Sequence, residues 1–393
     1  MPHSVPLSPS HGAGLRLMLA ILVVTLNLRG AITCVGPLLK TIQQEFALSA
    51  TGAGLLTSLP LLAFGFISPY AAPLARRLGM ELAIFVSMLV VLCGLGLRYL
   101  PGTACLYLGT GLIGIGVAIS NVLLPGLLRR DFPTHLALVT ALFSMVLVTV
   151  GGLGSGLAIP LAEFGGWRFS LVAWAGPVVL ALLVWVPLLR HNIPPVSNAS
   201  ASRSLWDSRL AWQVSLFMGC QSTAFYVMIA WFPSMMADLE GISAARAGWI
   251  LFVFQIFVLG SVMAVPLLIH RCSDQRWIGV GCASLILLAY SGLYLVPAQA
   301  MAWMMLMGLG AGGSLVLSMT LFGLRATTAA QSVALSGMAQ AVGYTMAAVT
   351  PIVIGYIRDQ TSSWNLPLLL MLALGAGQVV TGYLSGRELT LQR

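Results

Sequence analysis

The chain has 393 residues, of which 59% are hydrophobic and only 7% charged. A soluble domain carries roughly 25% charged residues, so this composition excludes a soluble enzyme, whose surface it cannot cover. The net charge of +9 rests on nineteen basic residues. In so apolar a chain these mark cytoplasmic loops of a membrane protein, and no basic run with interleaved aromatics points to nucleic acid.

A polar stretch, Met1 to Gly14, precedes the first apolar run. That run exceeds a signal-peptide core and lacks a convincing cleavage site, so it reads as a retained span. Twelve apolar segments follow one another at 15–39, 50–74, 80–100, 103–128, 136–160, 167–189, 210–236, 246–270, 277–296, 299–322, 331–356 and 363–386. Each is long enough to cross a bilayer core as a helix. The expected fold is an all-α integral membrane protein of twelve transmembrane helices. Between the sixth and seventh segments, Arg190 to Arg209 is rich in Pro and Ser and reads as a linker. The expected organisation is a tail 1–14, a six-helix half 15–189, the linker 190–209, a second half 210–386 and a tail 387–393.

Basic residues set the orientation. With the N-terminus inside, thirteen arginines fall in cytoplasmic segments, among them Arg76, Arg77, Arg129, Arg130, Arg271 and Arg276. The opposite side holds five: Lys40, Arg98, Arg168, Arg246 and Arg358. This asymmetry predicts both termini and the linker in the cytoplasm. Trp167, Trp212, Trp277, Trp303 and Trp364 lie near span ends and read as interfacial anchors. Six cysteines, Cys34, Cys93, Cys105, Cys220, Cys272 and Cys282, have no metal spacing and read as packing residues without disulfides.

The two halves repeat. Ser49-Ala-Thr-Gly-Ala-Gly54 opens span two and Ser243-Ala-Ala-Arg-Ala-Gly248 opens span eight; Pro73-Leu74 matches Pro266-Leu267. ALFSM at 141–145 matches ALSGM at 334–338, and Gly166-Trp167-Arg168 matches Ser363-Trp364-Asn365. The offsets all lie between 193 and 197 residues. Six spans separate the copies, so the repeat is parallel, as in carriers with a central site between two halves. Runs at 109–114 and 308–313 both fit G-x-G-x-x-G. They lie inside apolar segments rather than after a strand, so they read as close helix packing and not nucleotide binding. Gly152 and Gly156 share this small-residue spacing. No cofactor or metal is expected. Nor is an enzyme: no HExxH or paired internal carboxylates occur, and His3, His11, His135, His191 and His270 sit at ends or in loops.

Arg29 lies thirteen residues past Arg16, hence about 20 Å into the membrane. It reads as the one charge clearly inside a span, and unpaired it costs at least about 2.5 kcal/mol. No Asp or Glu stands at membrane depth. Either helix carbonyls satisfy Arg29, or its counter-charge is a cargo, a small anion or a strong acceptor such as a nitro group. Thr25, Arg29 and Thr33 at i, i+4 and i+8 form a predicted polar stripe, with a second at Ser336, Gln340 and Tyr344. Asn121, Gln221, Tyr226 and Gln255 are further substrate-binding candidates, and Phe225 and Trp231 are candidate cavity walls. Loops holding Arg76 and Arg77, and Asp274 and Arg276, are candidate cytoplasmic latches.

These features resemble the major facilitator superfamily, although Arg76 stands at the usual acidic position of its signature loop and Glu81 where a basic residue is common. Leu26-Asn-Leu-Arg29, LLTSLPLLAFGFISP (55–69), NVLLPGLLRRDFP (121–133), AWFP (230–233) and ALSGMAQAVGY (334–344) are similar to the cyanate permease and nitroimidazole transporter branch. The resemblance implies a monomeric carrier of a cyanate-like anion or nitro-heteroaromatic in a bacterial inner membrane, with Arg29 where that branch carries its span-one arginine. An exporter of amphipathic drugs is the alternative, and the absence of an intramembrane carboxylate predicts little direct proton coupling.

Overall fold

A computed structural model describes residues 11–48, 50–191 and 205–391. The first ten residues, Ser49, most of the expected linker (192–204) and the last two residues lie outside the described set. The described chain is helical, because in hydrocarbon every backbone polar group needs an internal partner. Span one is divided into α1 (His11–Thr25), α2 (Gly30–Thr33) and α3 (Val35–Glu45). Then come α4 (Ala50–Leu78), α5 (Met80–Tyr99), α6 (Thr103–Asp131), α7 (Leu136–Val172) and α8 (Ala175–Trp185). The second half holds α9 (Arg209–Glu240), α10 (Ala244–Arg271), α11 (Arg276–Leu295), α12 (Ala300–Leu324), α13 (Ala329–Thr361) and α14 (Asn365–Ser385).

Two differences from the expected segments have clear causes. Helix α7 carries all of span five and the start of span six, divided by non-helical Gly165 and Gly166. Gly166 has φ +82°, a conformation open to glycine, and turns the chain back across the membrane. Counting spans on either side of that turn gives twelve. Span one is interrupted at Leu26–Arg29, where the amides of Asn27 and Leu28 bond three residues back, to Val24 and Thr25, tightening the turn.

Ser208, Ser243 and Thr328 start α9, α10 and α13 by accepting backbone amides three residues on. The glycine runs of spans four and ten draw helices together: a Cβ on Gly109 would stand 2.5 Å from the Gly94 carbonyl of α5, and one on Gly308 2.5 Å from the Phe254 carbonyl of α10. Gly152 and Gly156 differ, with no atom where a Cβ would be, and neither seats a helix.

The helices form two pseudo-symmetric six-span bundles. In the first, α6 packs on α4 and α5, while α1 and α2 lie against α7 and α8; in the second, α9 packs on α13 and α14, and α10 and α11 on α12. Between the bundles, α4 and α6 meet α13, and α7 meets α10 and α12. We term the face where α1 begins and α14 ends proximal, and the other distal.

Candidate functional site

The break in span one places Arg29 immediately before α2, its backbone outside the helical region at φ −128° and ψ −40°. Its Nη1 donates 2.7 Å to the Tyr226 hydroxyl of α9, bridging the two bundles, and Arg29 Cζ lies 5.9 Å from the Tyr226 ring centre. Phe225 meets the Tyr226 ring edge-on at 5.4 Å, and Phe64 stacks at 4.6 Å on Tyr344, itself 6.4 Å from Tyr226.

This aromatic cluster borders a cavity of about 380 Å³ between the bundles. Its polar lining is Arg29, Thr33, Ser155, Gln221, Ser222, Tyr226, Gln255 and Tyr344, and its walls include Leu147, Val148, Phe225, Ile229, Leu251, Phe252 and Leu315. No lining residue is acidic. The lining positions fall in the middle and distal parts of α7 and α10. Gln221 is engaged with Ser222 at 2.9 Å, whereas Gln255 has no hydrogen-bond partner among the described residues and its Oε1 is buried.

Of the predicted site residues, Arg29, Thr33, Gln221, Phe225, Tyr226, Gln255 and Tyr344 come together at this cavity. The others stand elsewhere. Thr25 is buried and returns its hydroxyl to the Ile21 carbonyl at 2.7 Å, because the tight turn after it rotates α2 out of a continuous stripe. Asn121 and Gln340 bond each other across the bundles: Asn121 Nδ2 donates 2.7 Å to Gln340 Oε1, and Gln340 Nε2 donates to the Asn121 carbonyl at 3.1 Å and to Ser336 Oγ at 2.8 Å. All three are buried and none is part of the cavity lining, although Asn121 interacts with the lining residue Tyr344. Trp231 faces its own bundle, donating to the Pro351 carbonyl at 2.9 Å.

At the proximal face Arg76 and Arg77 are exposed, and neither forms an ion pair among the described residues. Asp274 and Arg276 pair at 2.6 Å within their own loop, so the contact spans two residues rather than two bundles. The ion pair that ties helices there is Glu81 of α5 with Arg130 of α6, 2.6 Å apart. The bundles are closed at this face by tight packing: a Cβ on Gly126 would stand 2.1 Å from Val333, and one on Gly323 2.5 Å from Leu136. At the distal face, Trp167 and Trp364 are buried rather than interfacial. Trp167 Nε1 donates to Glu45 at 2.5 Å and Trp364 Nε1 to Asp238 at 2.9 Å, with Arg168 and Arg358 on the same carboxylates. These clasps occupy equivalent places in the repeat.

Arg98 is the residue that sequence reasoning misplaced. It sits at the last turn of α5 yet is 1% exposed, because a helical side chain leans toward the N-terminus of its own helix and here reaches back into the bundle. Arg29 is therefore not the one interior cation. Ser155, Ser222 and Phe252 also line the cavity without having stood out in the sequence.

A sequence profile of the Major Facilitator Superfamily matches residues 20–351. The chain belongs to that superfamily. It is 40% identical over 376 residues to the 2-nitroimidazole transporter of Escherichia coli K12, covering 95% of each chain. It is 26% identical over 353 residues to the cyanate transport protein CynX of the same bacterium, covering 88% of this chain and 91% of that one. Its fold is similar to that of the proton:xylose symporter XylE, with a TM-score of 0.78 at 12% identity over 96% of this chain and 97% of that one. Like the superfamily, the protein is a multi-pass membrane carrier of small substrates, and its two-bundle fold is consistent with alternating access.

Proposed function

We propose that this carrier moves a small compound with a strong acceptor at one end, a small anion or a nitro-heteroaromatic, and that Arg29 receives that acceptor. The observation that carries the reading is a guanidinium on a cavity with no acidic residue in its lining, met by the neutral hydroxyls of Tyr226 and Tyr344. A charged donor in a water-poor site makes hydrogen bonds roughly twice as strong as neutral ones. The apolar and aromatic walls suit a flat ring behind that acceptor, and the names of the relatives agree with both chemistries. Gln221 and Gln255 stand beside the Arg29 seat as amide partners.

The basic-residue asymmetry orients the proximal face to the cytoplasm of a bacterial inner membrane. We read 15–189 and 210–386 as the two halves and 190–209 as the cytoplasmic linker, and the carrier as a monomer.

The test is flux of 2-nitroimidazole and of cyanate in proteoliposomes, wild type against Arg29→Gln. A loss of about tenfold or more in the variant is expected. Equal flux would remove Arg29 from cargo binding, and flux of many unrelated amphipathic compounds independent of Arg29 would instead identify a drug exporter.

A further inference from the structure

Directly before Arg29 the α-helical bonding of span one gives way to tighter three-residue turns. The direction of the short segment α2 therefore depends on contacts from outside as well as on the chain's own hydrogen bonds. On one side the fixing is steric. A Cβ on Gly154 of α7 would stand 2.8 Å from the Gly30 carbonyl oxygen, and one on Gly30 would overlap the Trp174 ring, so the backbones pack with no room to shift. On the other side lies Arg98. Its Nη1 donates 2.7 Å to the carbonyl of Ala31, two residues after Arg29, and its Nε donates 3.0 Å to the Thr110 hydroxyl of α6. Thr110 is itself tied to the Leu106 carbonyl at 2.7 Å. The close approach of Gly94 and Gly109 brings α5 and α6 together at Arg98. Arg98 Nη2 is buried without a partner among the described residues.

A buried cation with an unfilled donor is an expensive way to tie helices together, and an apolar residue would pack there at lower cost. What only a long, forked donor supplies is a directional tie to one carbonyl of a broken helix. We propose that Arg98 is a positioning residue for cargo binding: by holding the Ala31 carbonyl it sets the direction of α2 and thereby aims Arg29 at the cavity. The inference rests on the reading of Arg29 as the cargo-binding charge. It assigns to a residue outside the cavity a role in affinity.

The test uses the full-length protein in nanodiscs with 2-nitroimidazole as probe. Affinity is measured by calorimetry and local opening by amide hydrogen exchange. Arg98→Gln is expected to weaken binding about tenfold or more and to speed exchange in residues 26–38 while leaving α9 to α14 as in the wild type. Arg98→Lys, which keeps one donor for Ala31, should fall between. If Arg98→Gln does not fold, Thr110→Val, which removes the Nε partner and the bond to Leu106 but leaves the Arg98–Ala31 bond, is expected to give the same local pattern in weaker form. Wild-type affinity and wild-type exchange in 26–38 for the folded Arg98 or Thr110 variants, with binding lost in Arg29→Gln, would overturn the positioning role. Uniformly faster exchange across both bundles would also overturn it, by showing a general structural role. Unchanged binding in Arg29→Gln would instead defeat the cargo reading, and the exchange pattern would still decide whether Arg98 holds α2.

Discussion

Arg29 of the first bundle and Tyr226 of the second are joined by a 2.7 Å hydrogen bond across the cavity. Tyr226 and Tyr344 are both neutral partners of the guanidinium, so its charge is only partly compensated within the protein. The same bond places the hydroxyl where a cargo acceptor would sit.

If Arg29 receives the cargo as proposed, Tyr226 and cargo compete for the same Nη1 donor. Tyr226→Phe keeps the ring against Phe225 and removes the competitor. A hydrogen bond to a charged group contributes roughly 1.5–3 kcal/mol, so the variant is expected to bind 2-nitroimidazole more tightly, by about tenfold or more. Calorimetry on the purified protein checks this. Weaker binding would show instead that the hydroxyl contacts the cargo.

We propose that the Asn121–Gln340 pair acts in gating. It joins α6 to α13 with hydrogen bonds in both directions, near the packed proximal contact of Gly126 and Val333. The bundles cannot part at that face without breaking it. Asn121→Ala leaves the buried Gln340 carbonyl oxygen without its donor, at a cost of about 1–3 kcal/mol. That shifts the equilibrium toward the state open at the proximal face by about fivefold or more. Maleimide labelling of Val333→Cys should accelerate in the Asn121→Ala background, and unchanged labelling would show that the pair does not restrain the gate.

The number of spans, the order of the helices and the duplication were legible in the sequence because apolar length and small-residue punctuation are local signals. The break in span one was not. Leu26-Asn-Leu-Arg29 contains neither Gly nor Pro, and part of what holds it open is tertiary: besides its local bond to the Val23 carbonyl, Asn27 donates to the Pro177 carbonyl of α8. Asn121 and Gln340 were legible as buried polar groups, but sequence does not say whether such groups meet each other or a cargo. Arg98 was hidden by its position near a helix end, where water is the ordinary expectation. The duplication did hold more than it first yielded. Trp167 and Trp364, paired by offset alone, proved to share carboxylate partners, Glu45 and Asp238, that are themselves 193 residues apart.

The Glu45 clasp gives a pH prediction. The hydrogen bond from Trp167, and then the pairing with Arg168, hold the Glu45 carboxyl below its ordinary range. A depressed folded-state value stabilises the protein above the unfolded carboxyl pKa of about 4.3 and is lost as pH falls through the folded value. Glu45→Gln is thus expected to lower the melting temperature at pH 7, with the difference shrinking toward pH 3. Glu45 is substantially exposed, so the effect is small. An equal difference at pH 7 and pH 3 would place its origin in packing.

Energy coupling follows from what surrounds the cavity. Intramembrane proton carriers usually have an Asp or Glu that faces the pathway, and none of the lining residues is acidic. The one buried carboxylate among the described residues is Glu81, at the first turn of α5, and Arg130 holds it at 2.6 Å. A guanidinium does not release its proton in this range of pH, so in the proposed role Arg29 would bind charge without carrying a proton. Exchange or downhill movement of cargo is the expected mode. In proteoliposomes, counterflow of labelled 2-nitroimidazole should proceed without any gradient, and an imposed pH difference should not drive its accumulation. Concentrative uptake that a protonophore abolishes would require a proton site other than a cavity carboxylate, with the Tyr226 and Tyr344 hydroxyls beside Arg29 the first groups to substitute.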